Sequence, residues 1–284
     1  MANHAIQNIV SKRVSYLKSL VFPEKRLPAS DVIEVNAMFG KIFTFANDII
    51  TNQLVSFGAH TRPELAFLMT VVQSGDAVFD IGGHIGTFAI PLAQKIGEAG
   101  RLLIVEGDPR NFELLCRNIE RLGLGNIALP CHTVIGPSKK RYLVRNRSQN
   151  TGGSYFLPSD GSGGIPAVSL DDLMLAHYSP RVVKIDIEGL EVAAFRDSPI
   201  LLNLHPILYV EVAGDQLKRY GASVEELNEI LQTHDYRLFR NVGARNGTLD
   251  EFVVQELSSL SEGGNFFDVL ALHREDPRLQ HLPL

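Results

Sequence analysis

A glycine-rich turn between two acidic strand ends is the feature that most constrains what this chain can fold into. An apolar run ends at Asp80, and the chain then turns on three glycines before a helical pattern begins. The glycines are Gly82, Gly83 and Gly86. The next apolar run ends at Glu106, where a carboxylate can accept both hydroxyl groups of a ribose. The spacing predicts a strand, loop, helix and strand that bind a nucleoside cofactor, the glycines letting the backbone approach the ligand.

The glycine spacing argues against a dinucleotide. A G-x-G-x-x-G loop ending at Gly86 would need glycine where Ile81 stands. The pattern D-x-G-x-x-x-G fits instead, and its fixed anion, Asp80, suits a cationic ligand. S-adenosylmethionine carries a sulfonium, an ammonium group and a ribose, so an acid at each end matches its charges. The alternative is a structural turn without a ligand, which many α/β proteins contain.

Composition limits the class of protein. The 284 residues are 45% hydrophobic and 21% charged, which is typical of one large globular domain with extensions. A net charge of -5 gives no general footprint for nucleic acid, and we expect no such partner. Cys116 and Cys131 have neither disulfide nor zinc spacing and are expected to be buried. No apolar run is long enough for an integral membrane segment, so a cytoplasmic enzyme is the expectation.

Residues 1–60 are interpreted as an extension of the catalytic domain, which we place at 61–284. Apolar residues recur at helical spacing from Ile6 to Val21, before Pro23. This amphipathic helix could be a cap over the substrate site, a homodimer contact, a weak membrane-surface anchor, or a helix packed on its own domain. Short β-like runs between residues 32 and 57 are expected to cover an edge of the main sheet.

Strand and helix patterns alternate from Asp76 onward, which predicts an α/β fold with a parallel sheet and helices on both faces. The strands are placed at 76–81, 101–106, 127–131, 181–186, 206–212 and 235–240, and a last, antiparallel strand at 265–272. An insert at 138–166 interrupts the alternation, with a basic hairpin followed by a mobile loop. Its basic residues either bind an anion or form a solvated face; they are Lys139, Lys140, Arg141, Arg145 and Arg147.

The second motif is K-x-D-x-E-G, at residues 184–189. Lys184 and Asp186 share one face of a strand, and Glu188 lies on the turn that follows. Glu211 ends the neighbouring strand. Because ionisable groups at strand ends are costly to desolvate unless they are paired or used, these residues indicate a site. The alternative is an ion pair that only closes the end of the sheet.

These segments together resemble the FkbM-type family of S-adenosylmethionine-dependent methyltransferases. The resemblance rests on VFDIGGHIGTFAIPLA, LLIVEGDPRNFELLCRNIE, PAVSLDDL and VVKIDIEGLEVAAF, and it spans roughly residues 60–272 in consistent order. It implies a class I methyltransferase (Rossmann-like) fold, with a seven-stranded, mostly parallel sheet whose last strand is reversed. It also implies methylation of hydroxyl groups on sugars, glycans or secondary metabolites, with amide nitrogen as a less common acceptor.

The resemblance also implies which residues bind S-adenosylmethionine. Glu106 would hold the ribose, Asp108 and Asn111 would lie beside the adenosine, and the loop would supply Asp80, Gly82, Gly83, His84 and Gly86. The family usually has Asn or a small residue where His84 stands, so this side chain could contact the amino acid end of the cofactor or the substrate. The insert matches no family motif and is expected to serve substrate choice.

The chemistry of methyl transfer assigns candidate roles. An aliphatic hydroxyl needs a base or a metal to react at neutral pH. Asp186 and Glu188 are the candidate bases, Lys184 would keep one carboxylate ionised, and His84 is the rival base. Mg²⁺ is a possible second cofactor, held by Asp186 and Glu211. Two other functions stay open: an N-methyltransferase acting on a peptide or amide, and a non-catalytic S-adenosylmethionine-binding scaffold.

Overall fold

The main sheet has eight strands and is mostly parallel at its centre. The computed structural model describes residues 31–138, 140–147 and 150–283, so the predicted N-terminal helix lies outside the described residues. The sheet order is β13-β12-β14-β11-β10-β3-β4-β5. Its strands are β3 (Ala77–Ile81), β4 (Arg101–Glu106), β5 (Ala128–His132), β10 (Val182–Ile185), β11 (Ile207–Ala213), β12 (Tyr236–Asn241), β13 (Val254–Leu257) and β14 (Phe266–His273).

Strand directions follow from the pairing registers. Strands β11, β10, β3, β4 and β5 are parallel to one another. Strand β14 runs antiparallel to both of its neighbours, β11 and β12. The prediction of seven strands was wrong, because β13 pairs with the outer edge of β12. Only four residues long and half polar (Val-Gln-Glu-Leu), β13 gives a weak alternation signal in the sequence.

Both faces of the sheet are buried, which explains why its strands read as apolar runs. Along β3, Phe79 and Ile81 belong to one hydrophobic cluster and Val78 to the other. Along β4, Leu103 and Val105 alternate in the same way with Leu102 and Ile104, because successive side chains of a strand point to opposite faces. This double burial makes the strand boundaries visible in the sequence.

Helices cover the two faces of the sheet and carry its connections. They are α1 (Ile49–Phe57), α2 (Arg62–Met69), α3 (Ala89–Ile96), α4 (Pro109–Arg121), α5 (Leu170–Ala176), α6 (Glu191–Arg196), α7 (Pro199–Asn203), α8 (Gly214–Arg219) and α9 (Val224–Thr233). The sequence patterns predict the starts of α4, α5, α6 and α9 closely, since each begins with Pro or just after a capping residue or a turn. Helix α1 was not predicted.

The N-terminal strands form a separate two-stranded sheet. Strands β1 (Val32–Ala37) and β2 (Gly40–Phe45) are antiparallel. They pack against α4 and α1 and share a hydrophobic cluster with one face of the main sheet; that they cover an edge of the sheet stays a prediction. Asn118 of α4 fixes this packing, because its side chain accepts from the backbone N–H of Phe43 and donates to the carbonyl oxygens of Phe43 and Ile85.

The insert forms most of a third sheet. Strands β7 (Arg141–Arg147) and β8 (Asn150–Ser159) form a hairpin, and β9 (Ile165–Val168) and β6 (Val134–Ile135) complete the sheet in the order β6-β9-β7-β8. The predicted hairpin is confirmed, but the predicted mobile loop was wrong at both ends. Strand β8 extends to Ser159, and β9 begins at Ile165 despite its proline. Tyr142 and Phe156 are buried in the core of the main sheet and hold the insert on it.

Candidate functional site

The carboxyl ends of the central strands open into a cavity of about 410 Å³. Strands β3 and β10 are neighbours whose register places Lys184 opposite Asp80. Nine of the predicted site residues line the cavity: Gly82, Gly83, His84, Glu106, Asn111, Lys184, Asp186, Glu188 and Glu211. Three others lie behind its wall: Asp80, Gly86 and Asp108. The structure therefore brings residues from two distant motifs to one edge of the sheet, where ligands bind in folds of this kind.

Close packing within the protein leaves no room for larger residues at Gly82 and Gly83, which follow β3. Gly82 has a φ of 82°, and a Cβ atom there would collide with the backbone carbonyl of Asp186. A Cβ atom on Gly83 would collide with the side chain of Ile104. That the glycines also let a ligand approach the backbone stays a prediction, and both line the cavity. They bring the loop against the end of β10, and so place the two motifs side by side.

Lys184 joins the two motifs electrostatically. Its Nζ atom lies 3.2 Å from Asp80 Oδ1 and 3.5 Å from Asp186 Oδ2, and it donates to the carbonyl oxygen of Gly82 at 3.2 Å. Burial by itself acts to lower the pKa of Lys184, but the charges of the two aspartates outweigh it and raise that pKa above its usual range. The ammonium group is therefore a permanent cation between a buried aspartate and one that faces the cavity.

Three carboxylates form an acidic cluster beside this lysine. Asp186, Glu188 and Glu211 each have an oxygen atom within 4.8 Å of the other two. Glu188 is held in the left-handed region, with a φ of 58°. Burial raises the pKa of Glu211 well above its usual range, and the charges of Asp186 and Glu188 raise it further. The Oε2 atom of Glu211 is buried and has no hydrogen-bond partner among the described residues.

Glu106 closes the other end of the cavity. Its two carboxylate oxygens accept the backbone N–H groups of His84, at 2.8 Å, and of Asp108, at 2.6 Å. Burial, and then the charge of Asp108, raise the pKa of Glu106 to about 8. Asp108 itself caps α4 and accepts a hydrogen bond from Ser154 of the insert. Asn111 lines the cavity beside them, and its Oδ1 atom is buried without a described partner.

The insert and the N-terminal extension cover the end of the cavity that Glu106 closes. Thr151, at the start of β8, bonds to the ring of His84, to the side chain of Asn111 and to Asp48, which precedes α1. Sequence reasoning missed Asp48 and Thr151 as site residues. Asp48 shows a signal only as a helix cap, whereas Thr151 lies in an Asn-Thr-Gly-Gly-Ser segment without any pattern. Their contacts join positions 103 residues apart, which no local pattern reveals.

A polar and aromatic wall faces the acidic cluster. Phe266, at the start of β14, lines the cavity although 52% of its surface is exposed. The guanidinium of Arg245 lies 4.7 Å from the centre of that ring and 2.8 Å from a carboxylate oxygen of Asp268. These residues were also missed, because an exposed phenylalanine at the beginning of a strand carries no sequence signal for a site.

A comparison with protein families decides the class of protein. Residues 80–238, more than half of the chain, match the family described as the methyltransferase FkbM domain. The chain belongs to the FkbM methyltransferase family. This confirms the family inferred from the sequence motifs and makes the protein an S-adenosylmethionine-dependent methyltransferase. The match begins at Asp80 and includes both motifs that line the cavity.

Comparisons with individual proteins are more distant. No curated protein sequence matches this FkbM family member. Among solved structures, it is similar to TYW2 of M. jannaschii in complex with AdoMet, at 14% identity over 88% of this chain and 90% of that one, with a TM-score of 0.44. It is also similar to a precorrin-6y C5,15-methyltransferase from Geobacter metallireducens, at 12% identity over 74% and 87% of the two chains, with a TM-score of 0.42. At such scores these structures add nothing to the family assignment.

The described residues of the FkbM protein include no helix that is both long and apolar enough to cross a membrane. The exposed positions of the insert include Lys140 and Arg145. Arg141 donates to the carbonyl oxygen of Gly164 within the insert. Lys139 is not described, and neither is the side chain of Arg147, so the hypothesis of an anion site in this patch stays a prediction.

Buried Glu191 should make the stability of the protein depend on pH. Its Oε1 atom accepts from the backbone N–H groups of Ile187 and Gly189, and burial raises its pKa from 4.5 to about 7. Between these values the folded protein keeps a proton that the unfolded chain releases, so the free energy of unfolding falls as pH rises. Glu191→Gln should reduce this slope between pH 5 and 7 by up to about 1.4 kcal/mol per pH unit.

Urea unfolding at pH 5, 6, 7 and 8 measures the effect. The variant should keep part of the slope, because Glu106 has a pKa of about 8 and also loses stabilisation as pH rises. Equal slopes for Glu191→Gln and the wild type would show that Glu191 is already ionised in the folded protein.

Proposed function

We propose that this FkbM family member transfers a methyl group from S-adenosylmethionine to a hydroxyl group of a sugar, glycan or secondary metabolite. The observation that carries the proposal is the acidic cluster of Asp186, Glu188 and Glu211 beside Lys184, at the edge of the sheet where the cofactor loop ends. A hydroxyl must lose its proton as it is methylated, and carboxylates at this position can accept it.

The cavity residues fit S-adenosylmethionine. Glu106 is at the end of β4, where a carboxylate can accept ribose hydroxyls, and the loop of Gly82, Gly83 and His84 forms the adjoining wall. Asn111 Oδ1 and His84 Nδ1 are buried, border the cavity and have no described partners, so they are free to accept hydrogen bonds from a ligand. Asp108, engaged by the α4 backbone and by Ser154, supports this wall from behind.

The residues of the chain would act by alignment and proton transfer. When bound, S-adenosylmethionine supplies a methyl group on a sulfonium; the S–CH₃ bond breaks as the O–CH₃ bond forms. Asp186 or Glu188 takes the proton of the acceptor hydroxyl, and Lys184 orients Asp186 from 3.5 Å. His84 is a poor base by comparison, because burial lowers its pKa to about 3. Holding the acceptor in line with the methyl group accounts for the remainder of the rate.

The wall formed by Phe266 and Arg245 supports a ring-shaped acceptor. Phe266 presents an exposed aromatic surface to the cavity, and a sugar ring can lay its apolar C–H face on such a surface. Arg245, Asn246 and Asp268 line the same region and offer donors and acceptors for hydroxyl groups. This mixture of one apolar surface and several polar groups is typical of sites that bind small polar ligands.

The structure describes residues 31–60 of the N-terminal extension, and their contacts support a role of the extension as a cap over the cavity. Ile49, Ile50 and Gln53 of α1 line the cavity, and Asp48 bonds to the insert across it. We therefore keep the division into an extension at 1–60 and a methyltransferase domain at 61–284 as part of the proposal. The insert at 138–166 is assigned to the same cover, since Asn150, Gly152, Gly153, Ser154 and Phe156 also line the cavity.

Mg²⁺ is a second proposed component of the site. Asp186 and Glu211 would hold the ion, with Glu188 within reach, because carboxylate oxygens are the ligands that Mg²⁺ prefers. The buried and unpartnered Oε2 of Glu211 supports this role. When bound, the ion would lower the pKa of the acceptor hydroxyl. Glu188 would then take the proton.

Glu106→Gln should weaken cofactor binding. At pH 9, above the pKa of about 8 that burial gives Glu106, the substitution removes the charge and sets an amide NH₂ against one of the backbone N–H groups that Glu106 now accepts. A hydrogen bond to a charged group contributes about 1.5–3 kcal/mol, so the Kd for S-adenosylhomocysteine should rise roughly 10- to 100-fold. Isothermal titration calorimetry measures it, with Glu120→Gln, at an exposed position of α4, as the control. An unchanged Kd for Glu106→Gln would contradict the ribose assignment.

Asp186→Asn and Glu188→Gln should separate catalysis from cofactor binding. Loss of the base should lower kcat by about 10²- to 10⁴-fold, while the Kd for S-adenosylhomocysteine changes little. The assay incubates the protein with methyl-labelled S-adenosylmethionine and a panel of sugars, nucleotide sugars, glycosides and peptides, and locates the methyl group by NMR. Asp197→Asn, at an exposed position after α6, is the matched control. A methyl group on nitrogen, or tight cofactor binding without turnover of any acceptor, would refute O-methylation.

Mg²⁺ should bind to the wild type but not to Glu211→Gln. Calorimetric titration of Mg²⁺ into the complex with S-adenosylhomocysteine should give one site, and the variant should lose it because one oxygen ligand becomes an amide. EDTA should lower turnover at least tenfold, and added Mg²⁺ should restore it. If the wild type shows no heat with millimolar Mg²⁺ and full activity in EDTA, the carboxylates act without a metal.

A further inference from the structure

Three side chains link the cofactor loop to the parts of the chain that cover it. Asp48 precedes α1, Thr151 is the second residue of β8, and His84 lies in the loop after β3. Asp48 Oδ2 accepts both the backbone N–H of Thr151, at 2.7 Å, and its hydroxyl, at 3.0 Å. The Thr151 hydroxyl oxygen lies 2.8 Å from His84 Nε2. The extension, the insert and the loop therefore meet in one chain of hydrogen bonds.

The positions of the protons in this series of hydrogen bonds follow from whether each group can donate or accept. Asp48 accepts at both oxygens, since Oδ1 receives the backbone N–H of Ile50. The single hydroxyl proton of Thr151 is donated to Asp48, so the threonine oxygen can only accept from His84. His84 must then carry its proton on Nε2. Its Nδ1 atom is left with a free lone pair, because a neutral imidazole has one donor and one acceptor nitrogen.

This lone pair has no described use within the protein. Nδ1 is buried and has no hydrogen-bond partner among the residues that the structure describes, although the ring borders the cavity and is only 8% exposed. Burial lowers the pKa of His84 to about 3, so the ring stays neutral at physiological pH and Nδ1 stays an acceptor. A buried acceptor beside a ligand cavity is expected to bind a donor on the ligand.

The donors of S-adenosylmethionine can be matched with the acceptors around the cavity. Its donor groups are the two ribose hydroxyls, the adenine amine and the ammonium of the methionine part. Glu106 is assigned to the ribose, and Asn111 Oδ1, on the helix that begins just after Glu106, is within the region assigned to the adenosine. Asp186, Glu188 and Glu211 are assigned to the acceptor hydroxyl and the ion. His84 Nδ1 is then the acceptor without an assignment, and the charges of Asp186 and Lys184 act on its ring.

We propose that Asp48 and Thr151 fix the tautomer of His84 so that its Nδ1 atom accepts a hydrogen bond from the ammonium group of S-adenosylmethionine. The proposal rests on the proposed function only for the identity of the methyl donor and is independent of the acceptor. His84 is the contact residue, and Thr151 and Asp48 are positioning residues. Because Thr151 belongs to the insert, the same bonds hold the cover on the cofactor loop.

Binding of two ligands that differ in the amino acid part tests the contact. S-adenosylhomocysteine carries the ammonium group, whereas 5′-methylthioadenosine keeps the adenosine and lacks the amino acid. His84→Ala and Thr151→Val should weaken S-adenosylhomocysteine about tenfold and 5′-methylthioadenosine less than twofold, by calorimetry. Thr151→Ser keeps the hydroxyl and should bind both ligands like the wild type. His177→Gln, at a histidine after α5 that does not line the cavity, is the control.

NMR of ¹⁵N-labelled histidine tests the tautomer without any reaction. In the wild type, His84 should show a protonated Nε2 and an unprotonated Nδ1, and the Nδ1 signal should move when S-adenosylhomocysteine binds but not with 5′-methylthioadenosine. Thr151→Val should give a mixture of tautomers, with its thermal melting showing that it is folded.

The outcomes separate this inference from the proposed function. If the wild type binds both ligands and the variants weaken both equally, or if Nδ1 carries the proton, the ammonium contact is wrong while the S-adenosylmethionine site stands. If the wild type binds neither ligand, both the inference and the proposed function are overturned.

Discussion

The site depends on the ion pairs that the buried ammonium group of Lys184 makes with two aspartates. This group lies between Asp80, which ends β3, and Asp186, which follows β10, and both distances are within 3.5 Å. Without a cation here, two aspartates on adjacent strand ends would repel each other in a region with little access to solvent. With it, the end of the sheet carries one carboxylate held inside the protein and one turned toward the cavity. Cofactor loop and acidic cluster can therefore occupy neighbouring strands.

The regular part of the fold could be predicted from sequence because it is encoded locally. Strands β3, β4 and β10 are buried on both faces and read as apolar runs that stop at an acid or a glycine. Asp108 and the proline that follows it predict the start of helix α4. In contrast, α1 and the short strand β13 were missed, since neither combines a clear period with a strong boundary. The glycines are visible in the sequence, but the close packing of Gly82 against the carbonyl of Asp186 is not, because the two residues are far apart in the chain.

The site was predicted to the extent that it lies on the sheet. The motif residues Glu106, Lys184, Asp186 and Glu188 border one cavity because parallel strands bring their carboxyl ends together. Three residues outside the motifs were not found, because only tertiary packing gives them their positions. Phe266 lines the cavity from the start of β14, while Asp48 and Thr151 join the cover to His84. In the structure, one oxygen of Asp48 caps α1 and the other accepts from Thr151. Local patterns reveal the first kind of role and are silent on the second.

The contact between Gly82 and the carbonyl of Asp186 has a consequence for how such a protein can diverge. Gly82 and Asp186 belong to the two motifs that line the cavity, and they rest directly on each other with no room for even one additional carbon atom. A larger residue at position 82 would therefore require the backbone at Asp186 to move. Arg245, Asn246, Phe266 and Asp268 also line the cavity and make no such contact with Gly82 or Gly83, so a change of side chain meets less steric resistance there.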